Sequence, residues 1–254
     1  MVRAVDDDFK ILKRYLSDYS LINVLDDSTN LLIVKSAHKT YLPFLQLWAI
    51  CKDAFDKSIF EFFGHKVEES GGEFVHLKET ISDIGSGFFC CLHGAYKPGY
   101  MALRSGIENF LRFAAGSFDS KAIETTSVYE LFDIAKKTTP FATTHRDHLR
   151  VLRASYVELC QYTHSASLEH MSGIHALAHF PSFDETAFKG WITLARACIA
   201  SMSSITLIGQ PSLYNNAHFS AKELLDEMLP QTERLTLLKG SSNREVKLDG
   251  GAPR

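Results

Sequence analysis

The sequence predicts an all-α protein folded as a single compact helical bundle. Three observations carry this expectation. Apolar residues recur at spacings of three and four along most of the chain, sustained strand-type alternation is hard to find, and no Pro-, Ser- or Gly-rich linker divides the 254 residues internally. The composition, 45% hydrophobic, 22% charged and 11% aromatic, is that of an ordinary globular protein. A chain this long buries roughly three quarters of its unfolded surface, enough to need no metals or cross-links for stability.

The elements follow in order. Phe9, Leu12, Leu16 and Tyr19 make one amphipathic stripe, preceded by Asp6, Asp7 and Asp8, whose charge suits a helix N-terminus. A second helical region is expected over 30–63, with Pro43 bending or splitting it, Gly64 ending it and Ser70-Gly71-Gly72 turning the chain. Helical spacing resumes over 74–94, where Gly85, Gly87 and Gly94 weaken the helix but let a neighbour approach closely. Pro98 suits a first helical turn, so the next helix is expected over 98–116 with Gly116 as its C-cap. Later helices are expected at 127–137, 144–165, 185–208 and 221–228. Thr143 or Thr144 would cap the second of these, and Ser220, with Glu223 at the capping-box position, the last. Together they make a helical domain over 1–238, and the polar run 239–254 is expected to be a mobile tail.

The 27 basic and 30 acidic residues leave a formal charge of −3. This argues against a broad electropositive face for duplex nucleic acid or an anionic membrane, and leaves room for a local basic groove. Cys51, Cys90, Cys91, Cys160 and Cys198 lie mostly in apolar stretches without C-x-x-C spacing, as buried thiols of a reducing cytoplasm do. The start, MVRAVDDDFK, lacks the apolar core of an export signal. The most membrane-like segment, 197–208, falls short of the roughly 20 residues a span needs and contains Ser201, Ser203, Ser204 and Thr206, so a buried helix is expected there. The expectation is a cytoplasmic protein with no membrane association.

Leu103, Ile107, Phe110, Leu111 and Ala114 share one helical arc facing a core, and Arg104 and Glu108 lie at its edge, about 40° apart. Such a pair is either a structural ion pair or an arginine held by a carboxylate for use on a phosphate. On the 144–165 helix, Arg153, Val157, Cys160 and His164 fall within about 60° of arc beside Leu149 and Tyr156. Arginine, tyrosine and histidine are therefore expected on the packing face, where a buried Arg153 needs an acceptor such as Glu108. Arg153 and His164 stand about 16 Å apart along the axis, so any active pair has to form between helices or between protomers.

His175 and His179 have the i, i+4 spacing that chelates zinc, with His170, Glu169 or Asp184 as further ligands. No H-E-x-x-H occurs and Gly173 and Pro181 interrupt the stretch, so neither a metal nor another cofactor is expected. His145, Arg146, Asp147 and His148 read as a solvated helix start, with nucleic-acid contact as the other reading. The absence of P-loop, G-x-G-x-x-G and G-x-S-x-G motifs disfavours P-loop hydrolysis, Rossmann oxidoreduction and α/β-hydrolase chemistry.

The run GAYKPGYMALRSGIENFLRF and the later YVELCQYTHSAS resemble uncharacterised bacterial helical proteins related to HEPN domains. The shared pattern is an aromatic before R-S-x-x-E, here Tyr100, Arg104, Ser105 and Glu108, then an aromatic and H-S, here Tyr156, Tyr162, His164 and Ser165. It covers about 80–170. The resemblance implies a HEPN-like helical bundle, often a homodimer, and metal-independent cleavage of RNA in a toxin or antiviral defence system. His164 would transfer the proton, Arg104 stabilise the phosphate, Glu108 orient either of them and Tyr156 donate a hydrogen bond. The small residues of 195–208 and 85–94 suit the close packing of a dimer. The R-x(4–6)-H motif is absent from the sequence. The alternative is a non-catalytic protein-interaction module, its partner a protein of the same system, in which these residues form a buried polar network fixing helix register.

Overall fold

The computed structural model describes residues 3–18, 21–68, 72–164, 167, 171 and 181–245. Among them the chain forms α1 (Arg3–Asp18), α2 (Ile22–Leu25), α3 (Ser28–Asp56), α4 (Glu73–Leu92), α5 (Tyr96–Gly116) and α6 (Lys121–Glu124). It continues with α7 (Val128–Ala135), α8 (Arg146–His164), α9 (Glu185–Gly209), α10 (Pro211–Asn215), α11 (Phe219–Asp226) and α12 (Gln231–Glu245). The fold is all-α; among the described residues the helices are interrupted by a hairpin of β1 (Glu61–Phe62) and β2 (His65–Lys66) and by a π-helical turn at Pro140–Thr144.

Helix α5 is the hub. It packs along α4 and also meets α6, α7, α8 and α9, and its expected inner arc of Leu103, Ile107, Phe110, Leu111 and Ala114 is buried. The α4–α5 crossing is tight because Gly87 faces Gly99. A Cβ on Gly99 would stand 2.5 Å from the Cys91 sulfur, and one on Gly87 3.0 Å from the Gly99 carbonyl oxygen. Trp191 of α9 closes the crossing by donating its indole N–H to that carbonyl at 3.1 Å. Gly87 of α4 and Ala195, Ser201, Ser203 and Ser204 of α9, among the small residues expected to suit close packing, are buried within the chain. Cys51, Cys91 and Cys198 are buried free thiols, while Cys90 and Cys160 are half-buried.

Several boundaries differ from expectation for identifiable reasons. Helix α3 runs unbroken through Pro43, which is buried and forfeits only its own amide hydrogen bond. It stops at Asp56, and the Phe-rich run beyond it forms the hairpin instead of more helix. Phe63 and Gly64 both have positive φ and make the two-residue turn, while Phe60 and Phe62 alternate into the core. Asp6 and Asp8 clamp α1 onto α3, through Lys35 and His38 at 2.7 Å each. The cap of α11 is His218, whose Nδ1 accepts from the Ser220 amide at 3.3 Å.

Helix α9 has 25 residues, and by length and composition it could cross a membrane. Two thirds of its most apolar window is buried against other helices, and Ser201, Ser203, Ser204 and Thr206 are all buried, as expected of a core helix. Helix α12 lies where the sequence shows no sustained apolar stripe. It begins before and runs past Leu238, to Glu245, and buries Leu237. Of the expected tail, residues 246–254 lie outside the described residues.

Candidate functional site

The residues singled out by motif lie on α5 and α8. These helices run antiparallel, with Glu108 meeting Tyr156 at one level and the Tyr100 ring stacked on Tyr162 at another, 3.9 Å apart and 8° from parallel. Arg104 Nε lies 3.4 Å from Glu108 Oε1 on the same helix, and the two side chains are 27% and 21% exposed. The Tyr156 hydroxyl donates to the same Glu108 oxygen at 3.1 Å, and the Arg104 guanidinium sits over the Tyr156 ring, 5.7 Å from its centre. Phe132 of α7 meets that ring edge-on. Burial pushes the Tyr156 phenol well up, the Glu108 charge adds to this, and Arg104 opposes it. Tyr156 is protonated at neutral pH and donates to Glu108.

His164 stands apart from this triad. It is the last residue of α8 and is exposed. The pairings of Tyr100 with Tyr162 and Glu108 with Tyr156 put Arg104 level with Leu159, so His164 lies about 7 Å further along the axis. Arg153 and Val157 are also exposed, contrary to the expected packing face. Leu149, Leu152 and Leu159 set the buried arc of α8, and its centre lies about 100° round the helix from Arg153. Glu108 accordingly takes Arg104 and Tyr156 as partners.

Another flank of α5 carries a second network that no sequence motif marks. His76 Nδ1 donates to Asn109 Oδ1 at 2.9 Å, and Asn109 Nδ2 donates to Asp83 Oδ2 at 2.9 Å. Burial raises the Asp83 pKa, against the opposing hydrogen bonds of Ser105 and Asn109. Its sequence signal is a spacing: His76 and Asp83 are seven apart on α4, while Ser105 and Asn109 are four apart on α5. Arg112, one turn beyond, is committed to structure, donating to the carbonyls of Ala122, Ile123 and Thr125 at 2.8 to 3.2 Å.

The start of α8 overturns the solvated reading at His145 and His148, while Arg146 and Asp147 are exposed as expected. His145 is only 2% exposed, and its Nε2 has no hydrogen-bond partner among the described residues. His148 Nε2 donates to Glu233 Oε1 at 2.7 Å. Burial, helped by His148, lowers the His145 pKa to about 4, so its imidazole is neutral at pH 7. Burial alone would raise Glu233, but the hydrogen bond of His148, with help from Ser204 and His145, outweighs it and leaves the carboxyl lowered. The physical reason is contact with segments distant in sequence: Phe63 of the hairpin meets the His145 ring edge-on, and α12 brings Glu233 to His148.

Among the described residues no group of three or more His, Cys, Asp or Glu side chains could hold a metal ion. His170, His175, His179, Glu169 and Ser165 lie outside the described residues. Asp184 caps α9, its Oδ1 accepting from the Ala187 amide at 2.8 Å. Two clefts open away from the α5–α8 seam, one of about 310 Å³ beside Ile59 and Gln210 and one of about 520 Å³ between α3 and α9. No family model, curated protein or solved structure matches the chain. Chemically, the seam offers a charged pair and a phenol that satisfy one another.

Proposed function

We propose that the chain is a non-catalytic, cytoplasmic helical interaction module in which Arg104, Glu108 and Tyr156 lock the register of α5 against α8. One observation carries this reading: a single Glu108 oxygen takes both the Arg104 guanidinium and the Tyr156 hydroxyl, while His164 stands about a turn and a half away. A closed network of this kind fixes one packing arrangement, since a slip of either helix leaves part-buried polar groups unpaired. Exposed Met101 and Val157, next to the triad on the two helices, give its rim an apolar character suited to a protein partner. That partner is a protein of the same system or a second copy of the chain.

The second reading is a HEPN-like, metal-independent ribonuclease of a toxin or antiviral system, with its site completed across a homodimer. The exposure of His164 and the quarter-exposed Arg104 favour it, because each is open to an RNA or to a second protomer. RNA cleavage in EDTA, run beside light scattering, separates the two. The module predicts no cleavage by the wild-type chain and a lowered thermal midpoint for Arg104→Ala. Cleavage by a wild-type dimer, lost in Arg104→Ala and His164→Ala at unchanged midpoint, would replace it with the ribonuclease.

A further inference from the structure

The cleft of about 520 Å³ lies between α3, α9 and the end of α11, remote from the α5–α8 seam. Ser36, Lys39 and Thr40 line it from α3, Arg196, Ile199 and Ala200 from α9, and Glu227 and Met228 close the third side. Ser36 and Thr40 are one helical turn apart and present their hydroxyls together. Arg196 Nη2 donates to Ser36 Oγ at 3.0 Å and its Nε to Thr40 Oγ1 at 3.4 Å, while Thr40 Oγ1 donates to the Ser36 carbonyl at 3.2 Å. The guanidinium is therefore held in one orientation by neutral groups, and no carboxylate pairs with it among the described residues. Two of its five N–H donors are occupied, which leaves three for a ligand. Lys39 brings a second cation to the same cleft, paired with Glu227 at 2.7 Å.

We propose that this cleft binds a small phosphomonoester, with Arg196 as the anion fork. A planar guanidinium offering parallel N–H groups matches two phosphate oxygens, and held hydroxyls reduce the ordering needed on binding. Lys39 supplies further charge when it swings from Glu227 to the ligand. Ile199, Ala200 and Met228 give the cleft an apolar wall, and its volume falls in the range of small-molecule sites, so the ligand carries a compact organic group beside its phosphate.

The test is calorimetric titration of the full chain at fixed ionic strength with phenyl phosphate, inorganic phosphate and benzoate. Phenyl phosphate binds most tightly, since inorganic phosphate lacks a ring for the apolar wall and benzoate lacks the third oxygen and second charge that engage Lys39 together with the fork. Arg196→Gln weakens it by about tenfold or more, the loss expected for a charge-assisted contact. Glu227→Gln removes the competing carboxylate and tightens binding by a few fold, a change of opposite sign that a merely destabilised protein would not give. Absence of binding by phenyl phosphate, equal binding by benzoate, or an Arg196→Gln variant that binds like the wild type would each overturn the proposal.

Discussion

Helix α8 carries a polar run at its start and, further along, an arginine and a histidine on one expected arc, and the two teach opposite lessons. At the start, four consecutive polar residues, His145 to His148, look solvated, yet His145 is almost fully buried and His148 is tied to Glu233. Further along, Arg153 and His164 look like core chemistry, yet both are exposed. Local polarity misleads at the first cluster because its partners are distant in sequence: the Phe63 ring packs edge-on against His145, and Glu233, some eighty residues later, binds His148. Arc position misleads at the second because the leucines, not the arginine, decide which way the helix faces. Tyr156 lies between these cases, anchored by its ring to the core and by its hydroxyl to Glu108.

The sharpest way to break the contrast is Glu233→Ala. It leaves His148 without its partner beside the buried His145, and it should cost about 3 kcal/mol in denaturant unfolding. A loss under about 0.5 kcal/mol would mean that α12 does not hold the start of α8. Acid titration comes next. His145 binds a proton near pH 4 when folded but near its ordinary value of about 6.5 when unfolded, so the unfolded state takes up the extra proton as pH falls. Stability should decline between pH 6.5 and 4 by roughly 3 kcal/mol from this group, and His145→Gln should flatten that part of the profile. An unchanged slope would place His145 in water. The smallest effects belong to Arg153→Ala and His164→Ala, each expected within about 0.5 kcal/mol of the wild type. A large loss at Arg153 would restore it to the packing face.

The parts of the molecule legible in the sequence are those that obey a single period. The inner arc of α5, the edge positions of Arg104 and Glu108, and the buried character of α9 all follow from residues spaced three and four apart. The hairpin was hidden because Phe60, Phe62 and Phe63 satisfy a helical pattern as well as a turn. Helix α12 was hidden because, of its leucines, only Leu237 is buried while Leu235 and Leu238 are exposed, so no apolar stripe marks it. Within the candidate site, Arg104 with Glu108 could be read from spacing along one helix. The Glu108–Tyr156 bond could not be derived that way, since it depends on how two helices 48 residues apart in sequence are set against each other.

The central claim is that Arg104, Glu108 and Tyr156 act as one structural lock, and a double-mutant cycle tests it most directly. Glu108→Gln and Tyr156→Phe keep the shape of each side chain while weakening the bond between them. Equilibrium denaturation of the wild type, both single variants and the double variant yields their coupling free energy. A lock predicts that each single variant is destabilised and that the coupling is about 1 to 2 kcal/mol, as for a hydrogen bond to a charged group. Additive effects near zero, with all four proteins equally stable, would contradict the lock and leave these residues free for another role.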